Sequence, residues 1–150
     1  MTLTRTLLGL GSLLCVTAAP ATALANDDTH KCAAYGSVGA SMADFILPIT
    51  VKEMVGIMQG TEPELMMKMT MQLMSGLTPE ELQAMVSLGE TQASMLGEMA
   101  GTQAMQLLMT AQASTSEEVD RTLQAQCTRV GFDALLESQR RINSLEESAR

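Results

Sequence analysis

Apolar positions recur along the chain at intervals of three and four, and no stretch alternates apolar and polar residues with the period of a strand. Tyr35, Val38, Gly39, Met42, Phe45 and Ile46 fall on one helical face, and Val119, Leu123, Val130 and Leu135 fall within one broad face near the C-terminus. Helix starts are marked by a Ser or Thr followed three residues later by Glu, a pair that satisfies two otherwise orphaned backbone N–H groups. Thr50 with Glu53, Thr61 with Glu64, Thr78 with Glu81, and Ser114 with Glu117 or Thr115 with Glu118 have this spacing. Pro79 suits a first helical position, where its missing N–H costs nothing. Pro48 interrupts the first segment, while Gly60 and Gly76 stand where C-terminal caps belong.

These signals predict an all-α fold, a small bundle of about five helices near residues 29–46, 50–59, 62–75, 79–112 and 115–146. The long 79–112 segment contains Gly89, Gly97 and Gly101, each costing up to about 1 kcal/mol in a helix interior, so a kink or break is expected there. Together with Ala93, Ala100, Ala104 and Ala111, these glycines also offer a smooth strip for close helix packing. No internal repeat or low-complexity linker interrupts the pattern.

The first 25 residues read as an address. Arg5 supplies a positive n-region, Leu7 to Ala19 form an apolar run of signal-peptide length, and Ala23-Leu24-Ala25 provides the small residues that precede cleavage, near Ala25/Asn26. Lipidation at Cys15 is not expected, because Leu14 stands where a small residue is needed. The expected organisation is a cleaved leader over 1–25 and one helical domain over 26–150, periplasmic or secreted, with no segment of the roughly 18 uninterrupted apolar residues that a membrane span requires. Export places Cys32 and Cys127 in an oxidising compartment, which favours pairing them and fastening the first helix to the last.

Charge narrows the partners. Seventeen acids against nine Lys plus Arg give a net charge of -8, and loss of Arg5 with the leader removes one of the nine positive charges. Repulsion from phosphate excludes nucleic acid as a partner. Only 2% of the residues are aromatic, but 14 are methionine, and twelve of those lie in a Met-rich central region over 54–109. Met54/Met58, Met67/Met71, Met95/Met99 and Met105/Met109 are i, i+4 pairs, and residues 66–74 contain five methionines. On a helix each pair stacks two thioethers on one face.

Met is a good helix former and fills irregular gaps, so core filling is one explanation. A helical wheel over 79–112 gathers Leu82, Val86, Ala93, Leu96, Ala100, Ala104 and Leu107 on one side. It places Met95, Met99, Met105 and Met109 roughly opposite, among Thr91, Glu98, Thr102 and Gln106. That arrangement predicts a thioether surface, unless the helix is central and buried on two sides.

Three chemistries fit such a surface. Flexible, polarisable side chains can mould around apolar polypeptide segments, as in a chaperone, adaptor or inhibitor, with Met67, Met71, Met74, Met95, Met99, Met105 and Met109 as contacts to another envelope or exported protein. Thioethers are also natural ligands for Cu(I) or Ag(I), for which Met54, Met58, Met67, Met71, Met74, Met95 and Met99 are the alternative ligand set, with no other cofactor expected. Exposed methionines can also scavenge oxidants, and a purely structural envelope protein is the further alternative. His30, the only histidine, reads as a solvated residue near the new N-terminus.

Catalysis finds no constellation. One histidine, no G-x-S-x-G and no HExxH leave a nucleophile without its base, so a non-enzymatic protein is expected. Glu80/Glu81, Glu117/Glu118 and Glu146/Glu147 are adjacent on helices and point apart, and Gly36-Ser37-Val38-Gly39 lies inside a helical pattern. Leu77-Thr78-Pro79-Glu80-Glu81-Leu82 resembles the L-T-x-x-Q motif of the Spy and CpxP family of periplasmic, Met-containing helical chaperones, with Glu81 where that family has Gln and one copy only. The same segment continued through Leu88 resembles a helix from a family of exported helical proteins. In outline, a small exported helical domain closed by one cysteine pair is similar to acid-stress chaperones and to helical immunity proteins.

Overall fold

A computed structural model describes residues 21–149. Among these the backbone forms seven helices and no strand: α1 (Ala21–Ile46), α2 (Val51–Met58), α3 (Pro63–Ser75), α4 (Pro79–Leu88), α5 (Glu90–Met109), α6 (Ser116–Val130) and α7 (Phe132–Ser148). Residues 1–20 of the expected leader, with Arg5 and Cys15, lie outside the described residues, and the anticipated cleavage point falls within α1. No helix among the described residues is long and apolar enough to cross a membrane.

The count exceeds the expected five because two long segments are broken at glycines. Gly89, with φ of 77°, separates α4 from α5, and Gly131, with φ of 93°, separates α6 from α7. Both lie in the left-handed region, where a side chain would strain the backbone. Each break resets the helical phase. Leu82 and Val86 therefore point outward although they share a wheel with Leu96, and Val130 is exposed while Phe132 and Leu136 turn inward.

Three of the four anticipated helix starts are built as expected. At α2 and α4 the capping box is complete: Thr50 Oγ1 and Thr78 Oγ1 accept from the N–H of Glu53 and Glu81, whose carboxylates accept from the threonine N–H groups at 2.9 Å. At α6, Thr115 is the cap, and Glu118 accepts from the backbone and hydroxyl of Ser114. These hydrogen bonds hold the Glu53 and Glu118 carboxyls below the usual range. The Thr61/Glu64 box does not form. Pro63 takes the first helical position, which moves the cap to Glu62, and the Thr61 hydroxyl donates instead to the Gly56 carbonyl.

The core lies where α1, α5, α6 and α7 meet. Tyr35 and Val38 of α1, Leu96, Ala100, Ala104 and Leu107 of α5, Val119 and Leu123 of α6, and Phe132 and Leu136 of α7 form one buried cluster. Burial pushes the Tyr35 phenol up to about 12. The Cys32–Cys127 disulfide joins α1 to α6 inside this cluster, with a Cα–Cα distance of 5.4 Å. Lys31 lies 5.8 Å from the centre of the Phe132 ring, tying the start of α7 to α1.

Close helix approach centres on α1, and the strip expected in 79–112 takes part in it through Ala100, whose carbonyl oxygen is 3.5 Å from the Cβ position of Gly39, and Gly101, whose Cβ position is 3.2 Å from the Met42 thioether methyl. A Cβ on Gly36 would run into the Asp120 carboxylate and come within 2.9 Å of the Asp120 carbonyl oxygen, and one on Gly39 would run into Leu123. By contrast, a Cβ on Gly97 would meet nothing within 4 Å. Gly36 and Gly39 thus form the α1–α6 seam.

That seam also buries a charge. Asp120 Oδ1 is buried and accepts no hydrogen bond among the described residues. Desolvation raises the Asp120 carboxyl above its ordinary range, and the negative fields of Glu81 and Glu117 raise it further. Glu81 is itself buried, accepting a hydrogen bond from Ser37 Oγ at 3.0 Å and bridging α4 to α1. With its folded pKa raised, Asp120 contributes stability only below its unfolded pKa of about 3.9, and that contribution is lost as pH rises through the folded value. Asp120→Asn is therefore expected to raise Tm at pH 7, with the gain shrinking towards zero as the buffer is taken below about pH 4. Thermal melts of the two proteins across that range check it.

Candidate functional site

Among the described residues the hairpin of α2 and α3 buries very little. Gly56 is the only fully buried residue of α2, and α3 has none. Half-buried Leu73, with Leu77 just beyond α3, packs against the core cluster and anchors the hairpin. The opposite sides carry large apolar groups into solvent. On α2 these are Val51, Val55 and Met58, and on α3 they are Met67, Met71 and Met74. Both sets follow i, i+4, i+7 spacing, which aligns each along one stripe of its helix. Val51 and Met58 are 83% and 82% exposed, and the three methionines between 56% and 66%.

A second apolar surface runs along α5. An open groove of about 610 Å³ has Gly97 and Gly101 in its floor and Met42 of α1 with Met105 and Met109 in its walls. Glu98, Thr102, Gln106 and Thr110 complete its lining. Gly101 is in contact with the Met42 thioether methyl, while the space over Gly97 is open.

The expected Met surface is therefore real in part. Met67, Met71, Met74, Met105 and Met109 are exposed. Met99 is not: it is 6% exposed and belongs to the core, and Met95 is half-buried against that core. The reason is that α5 packs against α1, α4, α6 and α7 at once, so its inward face widens to include Met99 beside Leu96 and Ala100. The test follows directly. Met99→Gln places an amide among apolar side chains and should cost about 1–3 kcal/mol. Met109→Gln, at a position 80% exposed, should change stability by less than about 0.5 kcal/mol in urea unfolding.

For the copper alternative, Met67, Met71 and Met74 share one exposed stripe, but the remaining thioethers are dispersed. Met58 is on the outer side of α2, Met54 is half-buried, and Met95 and Met99 are occupied in or against the core. His30 lies in a depression with Glu80, Gln83 and Ser87 of α4, whose lining includes no methionine.

Val51, Val55 and Gly97 were absent from the residues singled out by the Met pattern, although the i, i+4, i+7 spacing from Val51 to Met58 was available to find the first two. Met42 was assigned to the buried face of α1, and it does pack against the core while also walling the groove. Between Lys68 and Arg121 the chain has seven acids and no Lys, Arg or His. Comparison of the chain with protein-family models, with curated proteins and with solved structures gives no match.

Proposed function

We propose that this is an exported, non-enzymatic helical protein that binds other polypeptides through its exposed Met-rich surfaces, as a chaperone, adaptor or inhibitor. The observation that carries the reading is the pair of apolar stripes on α2 and α3, turned to solvent on a hairpin that Leu73 and Leu77 hold against the core. Large apolar groups gathered in this way leave water when a partner covers them, and each fully buried Met is worth about 1.5–3 kcal/mol. Unbranched thioethers suit varied partners because they repack at small cost. The acidic character of the chain keeps the empty surface soluble.

A photocrosslinking side chain at position 71 tests this. It should label a chemically unfolded, alkylated client, while the same group at exposed position 133 of α7 should not. Equal labelling from both positions would remove the assignment of the α2–α3 surface.

A second reading, Cu(I) handling, draws on the three aligned sulfurs of Met67, Met71 and Met74. The two are separable by replacing all three with Leu, which keeps the apolar surface and removes the ligands. Client binding should survive that change. Loss of Cu(I) competition against a chromophoric chelator in the same variant would instead support the metal.

A further inference from the structure

A cavity of about 300 Å³ lies among α1, α5, α6 and α7, of a size that suits a small molecule. Tyr35, 1% exposed, is the most buried residue in its lining. A buried phenol ordinarily finds a hydrogen-bond partner. The Tyr35 hydroxyl has none among the described residues. Nor is it sealed from solvent, because the one sealed side-chain oxygen or nitrogen there without a partner is Asp120 Oδ1. The hydroxyl therefore opens onto the cavity that its side chain lines. We infer that this cavity binds a small aliphatic amine, whose ammonium donates to Glu98, Glu146 and the Tyr35 oxygen while its chain lies along Met99, Leu135 and Ile142.

The lining selects the head group. Both of its charged residues are acids, Glu98 of α5 and Glu146 of α7. A depression that shares Glu98 adds Glu90 and no base. The nearest arginines that line a neighbouring depression, Arg121 and Arg129, lie on the side of Gln103 and Gln126. Arg121 is paired there with Glu117 at 3.1 Å, and Arg140 and Arg141 are paired with Glu137. The field thus has a direction, with a cation favoured at Glu98 and Glu146. An ammonium has three donors, and two carboxylates with one phenol oxygen supply three acceptors.

The remaining lining selects the body of the ligand. Leu135, Ile142 and Glu146 follow i, i+7, i+11 spacing on α7, so two apolar contacts lead to the acid along one stripe. From Leu135 to Ile142 is about 10 Å, the reach of a chain of about six carbons. Met99 faces the same space from α5. A bare metal ion would leave these apolar groups unused, and no three His, Cys, Asp or Glu among the described residues are placed to hold one. A sugar or planar ring would want an exposed aromatic face, which a Tyr35 this buried does not offer.

Titration of the oxidised protein with hexylamine, hexanol and hexanoate, followed by amide NMR shifts, tests the inference with one chain and three charges. Hexylamine should bind at least about tenfold more tightly than the other two at low salt, with the gap narrowing as salt is raised. Its shifts should centre on Tyr35, Leu135 and Ile142. Replacing Glu98 and Glu146, both exposed, with Gln should bring hexylamine to the level of hexanol. Tyr35→Phe keeps the ring and removes the acceptor, and should weaken hexylamine about threefold or more. Equal affinity of the three ligands, tighter binding of hexanoate, no saturation by hexylamine, or unaltered binding in the double Gln variant would each overturn the inference. The cavity is separate from the exposed methionines of α3, so Met67/Met71/Met74→Gln should leave hexylamine binding unchanged. Shifts that centre on those methionines instead would mean that the alkyl chain alone is recognised, and would overturn the site without touching the polypeptide-binding reading.

Discussion

Removing the Cys32–Cys127 disulfide is expected to cost about 4 kcal/mol. The two cysteines are 95 residues apart, so the bond excludes a large share of the conformations of the unfolded chain. It also clamps α1 to α6 within the buried cluster, in a protein with only two Phe, one Tyr and no Trp with which to build a core. Replacing both cysteines by Ala, which leaves no buried hydroxyl, should lower Tm by more than about 10 °C relative to the oxidised protein. Reductant added to the unaltered protein should do the same, followed by far-UV circular dichroism. A fall of less than about 3 °C would mean that the α1–α6 seam holds itself together without the clamp.

The second large effect is expected at Gly36. Alanine there would gain up to about 1 kcal/mol in helix propensity, yet its Cβ would press on the Asp120 carboxylate and on a backbone carbonyl of α6 that cannot rotate away. Moving α6 disturbs Val119 and Leu123, both fully buried, so a net loss of about 1–3 kcal/mol is expected. Gly97→Ala is the internal control. It has the same propensity gain and open space around the added methyl, and it should stabilise by up to about 1 kcal/mol. Urea midpoints of the two variants should move in opposite directions. Equal stabilisation in both would show that α1 and α6 are not in close contact at residue 36.

Local chemistry made most of the helices legible. Thr50/Glu53, Thr78/Glu81 and Thr115/Glu118 marked their starts because a cap is satisfied within four residues and needs nothing from the rest of the fold. The pairing of Cys32 with Cys127 is legible once Cys15 is read as part of the leader, since the two cysteines that remain allow one bond. The breaks at Gly89 and Gly131 were harder. A glycine inside a helical pattern is compatible with a continuous helix, and only the packing of α4 and α7 onto the rest decides that the chain turns there. The kink or break expected in 79–112 is found at Gly89, one of three glycines that offer it, whereas the one at Gly131 has no such signal; a wheel drawn through either point joins positions that cannot share a face, and so Val86 and Val130 are exposed.

The candidate surface was half legible for the same reason. Met67, Met71 and Met74 lie on a helix of moderate length whose polar and apolar positions are unbroken, and they stand outside as expected. Met99 lies inside because a helix in contact with four others buries a face wider than its Leu and Ala residues alone define. The groove at Gly97 was invisible to the pattern, since a missing side chain reads as weak helix and not as space. The structure thus divides the methionines into those that fill and those that face solvent, and the functional reading rests on the second group.

The most direct test replaces the five exposed candidates, Met67, Met71, Met74, Met105 and Met109, with Gln and measures both thermal unfolding and suppression of aggregation of a chemically unfolded client. The account predicts an unchanged helical spectrum, a Tm within about 5 °C of the unaltered protein and loss of client protection. Full client protection by the variant, or loss of its cooperative unfolding as expected for Met99→Gln, would contradict it.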